Sequence, residues 1–160
     1  MTTVTIINRC FHPVKGLFRD GGQGVSEMEE SWKNLQPLRI PPGWVCIWNK
    51  LESAEPADVP EGDSAWLFTY VQDMTYFRRE GKEYTISIDL GWYPDGDPEG
   101  AYRLEAVLDD DWAHPLLSFT SRSTREIAET MEFWMFSRIP RYGPVNWKWF
   151  RKKYGPKEDM

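Results

Sequence analysis

The chain has 160 residues, of which 41% are hydrophobic and 28% are charged, and its formal net charge at pH 7 is −6. This length suits one domain with its own core, so residues 1–160 are predicted to form a single domain. No apolar run reaches the roughly 20 residues of a membrane-spanning helix, and residues 1–9 lack the features of a secretory signal.

A cytoplasmic location is therefore expected. The two cysteines, Cys10 and Cys46, follow neither a disulfide framework nor a metal-binding pattern, and both thiols are expected to be reduced.

The charge is distributed unevenly along the chain. Residues 52–111 contain 16 acidic and 4 basic residues, whereas the remainder contains 9 acidic and 15 basic residues. An acidic region of this strength repels the phosphates of nucleic acids. It attracts a basic partner and accelerates the encounter with it.

The first half of the chain predicts strands around one short helix. Thr3–Asn8 is rich in β-branched residues and predicts a strand. A capping box at Ser26 predicts a helix over about 27–35. The apolar run Trp44–Leu51 predicts a central strand, followed by an exposed acidic connector over 52–63.

The middle of the chain predicts a β-meander. Two strands are predicted over Trp66–Val71 and Met74–Arg79, followed by a long hairpin over 83–111. Apolar residues occupy alternate positions on both hairpin arms, which predicts one buried face and one solvated face. The run 94–100 is rich in Asp, Pro and Gly and predicts an acidic turn.

The last elements are a strand over Leu116–Thr120 and a helix over about 124–138. The helix begins at a second capping box and carries an apolar stripe that ends before Pro140. The predicted fold is α+β, an antiparallel meander of five to seven strands packed by this long helix. Residues 139–160 form a basic aromatic tail, predicted to dock on the sheet rather than to bind nucleic acid or membrane.

The chain carries none of the sequence motifs for phosphate-binding loops, nucleophile elbows, zinc proteases or redox cysteines. The loop from Asp95 matches the first positions of a calcium-binding loop, but Ala106 stands where the last ligand is required. His12 and His114 each precede a proline and are expected in irregular loops. Asp89 stands out because it lies in mid-strand beside Gly91, and a place on the solvated face explains it. No catalytic residue, metal or cofactor is predicted.

Three segments resemble small immunity proteins that are encoded beside bacterial polymorphic toxins and contact-dependent growth inhibition toxins. They are Ile40–Leu51, Asp89–Gly100 and Asp111–Phe119, the last followed by the helix. The resemblance covers about residues 40–138, the best-supported core. It implies a non-catalytic protein that neutralises one cognate toxin domain, a basic and nuclease-like protein, by forming a 1:1 complex.

Charge and aromatic content together indicate which residues would form such an interface, because aromatic anchors rimmed by charge are typical of protein interfaces. The predicted partner-binding residues are Tyr93, Asp95, Asp97, Glu99, Glu105, Asp109, Asp110, Asp111 and Trp112. The alternative is a metal-dependent hydrolase that uses the acidic hairpin loop, with Asp95 and Asp97 as its metal ligands.

Overall fold

The computed structural model of the chain describes residues 5–7 and 34–139. The strands are β1 (Thr5–Ile7), β2 (Leu38–Ile40), β3 (Trp44–Asn49), β4 (Thr75–Glu80), β5 (Thr85–Tyr93), β6 (Ala101–Leu108) and β7 (Leu117–Ser121). The helices are α1 (Ala65–Phe68) and α2 (Thr124–Phe133), with a 3-10 turn at Pro56–Asp58 and a π-helical segment at Trp134–Arg138 that extends α2.

Five strands form the main sheet in the order β3-β4-β5-β6-β7, and every neighbouring pair is antiparallel. β1 and β2 form a separate antiparallel pair. The predicted α+β meander with a C-terminal helix is thereby confirmed. The predicted N-terminal helix lies outside the described residues except for its end, where Leu35 instead forms an antiparallel bridge with Glu52.

The inner face of the sheet packs against α2. Phe77 opposes Ile88 across β4 and β5, Leu90 opposes Leu104 across β5 and β6, and all four side chains are fully buried. On α2, the positions Ile127 and Met131 are one turn apart and are also fully buried. Because burying one large apolar side chain contributes roughly 1.5–3 kcal/mol, this layer supplies much of the folding free energy.

The strand predicted over Trp66–Val71 is wrong. This segment contains the short helix α1, and the Asp63 carboxylate accepts a hydrogen bond from the backbone N–H of Ala65 at its first turn. Trp66 is buried, stacks on Tyr70 at a centroid distance of 4.5 Å and donates its indole N–H to a backbone carbonyl at 2.8 Å. Local apolar content predicts burial, but these tertiary contacts determine that the backbone is helical.

Two side chains cap the start of α2. The Ser123 hydroxyl accepts from the backbone N–H of Glu126, as the capping box predicts. The second cap comes from the acidic connector, where the Glu55 carboxylate accepts from the N–H groups of Thr124 and Arg125 at 2.8 and 3.0 Å. A carboxylate at a helix N-terminus accepts hydrogen bonds from the free N–H groups and interacts favourably with the positive end of the helix dipole. The connector is therefore hydrogen-bonded to the start of α2 through Glu55.

The prediction that both thiols are reduced is wrong for Cys46, which is disulfide-bonded. Pairing depends on the approach of two Cα atoms in the fold, which the spacing of two cysteines in sequence does not reveal. Within residues 34–139, no helix has the length and apolar character required to cross a bilayer.

We expect Glu55→Ala to lower the free energy of unfolding by about 1–2 kcal/mol, because it leaves the first N–H groups of α2 without their carboxylate acceptor. Urea denaturation measures the change. The control is Glu61→Ala, which removes an exposed carboxylate from the same connector and is expected to change stability by less than about 0.5 kcal/mol. An equal loss in both variants would contradict the capping role of Glu55.

Candidate functional site

The outer face of the sheet, which points away from α2, is partly covered by aromatic side chains. Ser87 and Val107 lie on this face, yet both have a relative exposure of 0%. The Tyr76 hydroxyl donates to the Ser87 hydroxyl at 3.0 Å, and the Tyr76 ring stacks on Trp48 at a centroid distance of 4.8 Å. Trp112 also neighbours Tyr76, with ring centroids 6.3 Å apart. The prediction of a solvated second face is therefore wrong at these positions.

One row of directly opposed residues crosses all five strands of this face. In strand order it consists of Trp48, Tyr76, Asp89, Glu105 and Ser118. Opposed residues in an antiparallel sheet have their side chains on the same side, about 4.5–5.5 Å apart at Cβ. The register therefore places two stacked aromatic rings beside two carboxylates.

The two carboxylates, Asp89 and Glu105, form an unfavourable pair. The pKa of Asp89 is raised to about 6, chiefly by burial and also by the carboxylates of Asp73 and Glu105, although the Arg103 charge acts to lower it. Arg103 does not neutralise the Asp89 carboxylate. Its guanidinium lies 3.9 Å from the Tyr93 ring centroid, and its Nε is 3.7 Å from an oxygen of Glu105. Like charges opposed across strands destabilise a sheet.

Gly91 explains how Asp73 comes close to this pair. A Cβ at position 91 would lie 2.1 Å from the backbone carbonyl oxygen of Gln72, so only glycine allows the backbone of residues 71–73 to approach β5 this closely. The backbone N–H of Trp92 donates to the carbonyl of Val71 at 2.8 Å and holds this segment in place. The glycine in the strand is the local sequence signal for this approach.

The acidic hairpin loop lies at one end of the sheet. Asp95 and Glu99 are exposed, whereas the Asp97 carboxylate accepts a hydrogen bond from the backbone N–H of Glu99 at 2.8 Å. Arg122 clamps the loop by donating to the carbonyls of residues 98 and 100. The loop is therefore held by specific hydrogen bonds, and it displays at least two charges to solvent.

Asp109, Asp110 and Asp111 lie at the opposite end of the hairpin and form a turn. Asp109 and Asp110 have φ values of 52° and 60°, a conformation in which Asp is tolerated better than most residues. The Asp109 carboxylate accepts from the N–H of Thr85 at 2.9 Å, and Asp111 lies 3.1 Å from the His114 ring nitrogen Nδ1. Local structure therefore accounts for much of this acidic run.

The nine predicted partner-binding residues consequently form three groups. The hairpin loop and the turn at Asp109–Asp111 are separated by the length of β6, about 23 Å. Glu105 lies between them in the middle of β6, Tyr93 ends β5 next to the hairpin loop, and Trp112, which is 43% exposed, follows the turn. We call Trp48, Tyr76, Asp89, Glu105 and Trp112 the outer-face site. Its first three members were absent from the predicted set, because only the register of β3, β4 and β5 brings them together.

The chemistry available at the outer-face site is recognition of positive charge. Carboxylates form charge-assisted hydrogen bonds with ammonium and guanidinium groups, and aromatic faces attract the same cations. Among residues 34–139, no group of three or more His, Cys, Asp or Glu side chains is arranged to hold a metal ion.

No family model matches the chain, and searches among curated proteins and solved structures found no match either.

We expect Asp89→Asn to stabilise the free protein at neutral pH. Because the pKa of Asp89 is higher in the folded than in the unfolded chain, ionisation favours unfolding, and wild-type stability falls as the pH rises from about 4 to above 6. Because an asparagine at position 89 cannot ionise, the Asp89→Asn protein does not lose stability in this way as the pH rises. Its free energy of unfolding at about pH 7.5 is expected to exceed that of the wild type by about 1 kcal/mol, after discounting for solvent screening.

Urea denaturation at about pH 4 and pH 7.5 measures the difference. Asp95→Asn removes one charge from the exposed loop but leaves Asp89 in place, so it is expected to retain the wild-type fall between these pH values. If Asp89→Asn retained that fall as well, the placement of the Asp89 carboxylate in an unfavourable environment would be wrong.

Proposed function

We propose that this chain is a non-catalytic immunity protein that binds one cognate toxin domain in a 1:1 complex and thereby neutralises it. The observation that supports the proposal is the pair Asp89 and Glu105, opposed across β5 and β6 beside stacked aromatic rings. In the free protein this pair weakens the fold. A positively charged side chain from a partner converts the same pair into a favourable contact.

The partner group that fits the outer-face site is a lysine or arginine side chain. Its charged end meets Asp89 and Glu105, and its aliphatic part or guanidinium plane lies against Tyr76 or Trp112. Trp112 is exposed enough to contact a partner directly. Tryptophan and tyrosine beside charged residues are frequent hot spots of protein interfaces.

A nuclease toxin supplies such cationic groups, because it binds the phosphates of RNA or DNA through lysine and arginine. An acidic protein that covers this surface excludes the nucleic acid and accelerates its own association. The resemblance of residues 40–138 to immunity proteins of polymorphic and contact-dependent growth inhibition toxins supports the same function.

The alternative, a metal-dependent hydrolase built on Asp95 and Asp97, has less support. Asp97 uses its carboxylate to hold the loop backbone, and Asp95 is exposed to solvent. Within the described part of the chain, these residues do not belong to a cluster with the composition of a metal site.

The cytoplasm is the proposed compartment, because a nuclease toxin attacks its target there. The disulfide bond of Cys46 is a test of this point, since disulfides are rare in the cytosol. If the protein works in the cytoplasm, this bond is expected to be reduced there, so that Cys46 reacts with maleimide when acid-quenched host protein is denatured and returned to neutral pH without reductant. Reaction only after reduction would place the working protein in an oxidising compartment and contradict the cytoplasmic location.

We expect Asp89→Asn and Glu105→Gln to weaken binding to the purified C-terminal domain of the toxin encoded by the adjacent gene. Each variant keeps the side-chain shape and removes one charge that faces the proposed cation, so the Kd is expected to rise about 10-fold or more. Titration calorimetry measures the Kd and the stoichiometry. Wild-type affinity is also expected to fall as the pH decreases through about 6, because Asp89 becomes protonated.

Glu129→Gln is the matched control, because it removes one charge from an exposed position on α2, away from the outer face. Its Kd is expected to stay within about 2-fold of the wild type. Absence of wild-type binding to the adjacent toxin domain would refute the proposed function. An equal effect of all three variants would refute the outer-face site as the specific contact.

A further inference from the structure

Two large apolar side chains are exposed next to each other on α1. Leu67 is 70% exposed and Phe68 is 77% exposed. A single exposed apolar residue is ordinary in a folded protein, but two adjacent ones on a rigid element indicate an interaction surface. The predicted interface residues Tyr93 and Trp112 did not include this pair, because the sequence predicts a strand over residues 66–71.

The backbone that carries the pair is held firmly. Trp66, the preceding residue, is buried between Tyr70 and Trp92, at centroid distances of 4.5 and 5.7 Å. The backbone N–H of Gly96 in the hairpin loop donates to the carbonyl of Tyr70 at 2.9 Å. Because the α1 backbone is already held in one conformation, Leu67 and Phe68 lose little conformational entropy when a partner covers them.

The chain segments that carry and adjoin the pair are strongly acidic. Residues 52–73 and 94–100, which flank the pair in sequence and join it through the Gly96 hydrogen bond, contain nine acidic residues and no lysine or arginine. A second copy of this chain would present the same negative charge and be repelled. Charge complementarity instead favours a protein that has an apolar pocket with a basic rim.

We propose that Leu67 and Phe68, together with the acidic hairpin loop, form a second contact region for the basic toxin domain, with Phe68 inserted into an apolar pocket of that domain. This inference rests on the proposed function and adds an anchor to it. The pair supplies apolar contact area and slows dissociation, whereas the carboxylates on the outer face supply charge recognition.

The acidic hairpin loop adjoins the α1 segment. The backbone hydrogen bond from Gly96 to Tyr70 joins the loop to this segment. Five residues along β5 separate the start of the same loop at Pro94 from Asp89, a distance of about 17 Å. A partner that contacts the loop therefore lies next to the α1 segment.

The test compares Phe68→Ala with Phe133→Ala in binding to the purified toxin domain from the adjacent gene. Phe133 is 57% exposed on α2 and serves as the matched control. We expect Phe68→Ala to raise the Kd about 10-fold or more, mainly through faster dissociation, and Phe133→Ala to stay within about 2-fold. Thermal denaturation is expected to give unchanged stability for both variants, since each side chain is exposed.

The outcomes separate this inference from the proposed function. If wild-type chain binds and Asp89→Asn weakens binding, but Phe68→Ala matches the wild type, the α1 contact is wrong while the proposed function stands. If the wild-type chain does not bind the toxin domain, the proposed function fails and this inference fails with it.

A photo-crosslinking phenylalanine analogue at position 68 gives a second readout. It is expected to crosslink to the toxin domain, whereas the same analogue at position 133 is not.

Discussion

The central strand β5 has neighbours on both edges and requires cover on both faces, and the rest of the structure follows from this constraint. α2 covers the inner face with Ile127 and Met131. On the outer face Tyr76 hydrogen-bonds to Ser87 and stacks on Trp48, which keeps this side of the strand from being open to water. A carboxylate in the middle of such a strand is partly removed from water, and burial raises the pKa of Asp89 for this reason.

Two regions of the surface depart from the usual placement of charged and apolar side chains. At the outer-face site, carboxylates oppose each other in a half-buried setting, where an apolar or oppositely charged pair is more favourable. On α1, Leu67 and Phe68 face water although the aromatic cluster beneath them has buried their neighbour Trp66. Positions that reduce the stability or solubility of the free protein are expected where function requires them. Both regions match the proposed contact with a basic protein that has an apolar pocket.

The acidic connector contributes to both the fold and the candidate surface. Its Glu55 caps α2, its Asp63 caps α1, and the carbonyl of Pro60 accepts the indole N–H of Trp66. The same segment carries much of the negative charge beside Leu67 and Phe68. A connector that reads in sequence as an exposed loop is therefore tied to both helices, which fixes where its charge and the α1 pair are presented.

Local and periodic signals in the sequence were sufficient to predict the hairpin arms and α2. Alternation of apolar residues defined both arms of the hairpin, and the Ser123 capping box with an apolar stripe defined α2. The acidic character of the middle region also follows from composition alone. The partners of Asp89 could not be predicted, because Trp48, Tyr76 and Glu105 lie on three other strands and meet it only through the strand register.

Tertiary structure also decided the conformation of the segment around Trp66. Its short apolar run is compatible with a strand or a helix, and packing of Trp66 against Tyr70 and Trp92 selected the helix. That choice determines that Leu67 and Phe68 are exposed. Local patterns specify which faces of an element are apolar, whereas contacts between distant segments determine which of those faces another part of the chain covers.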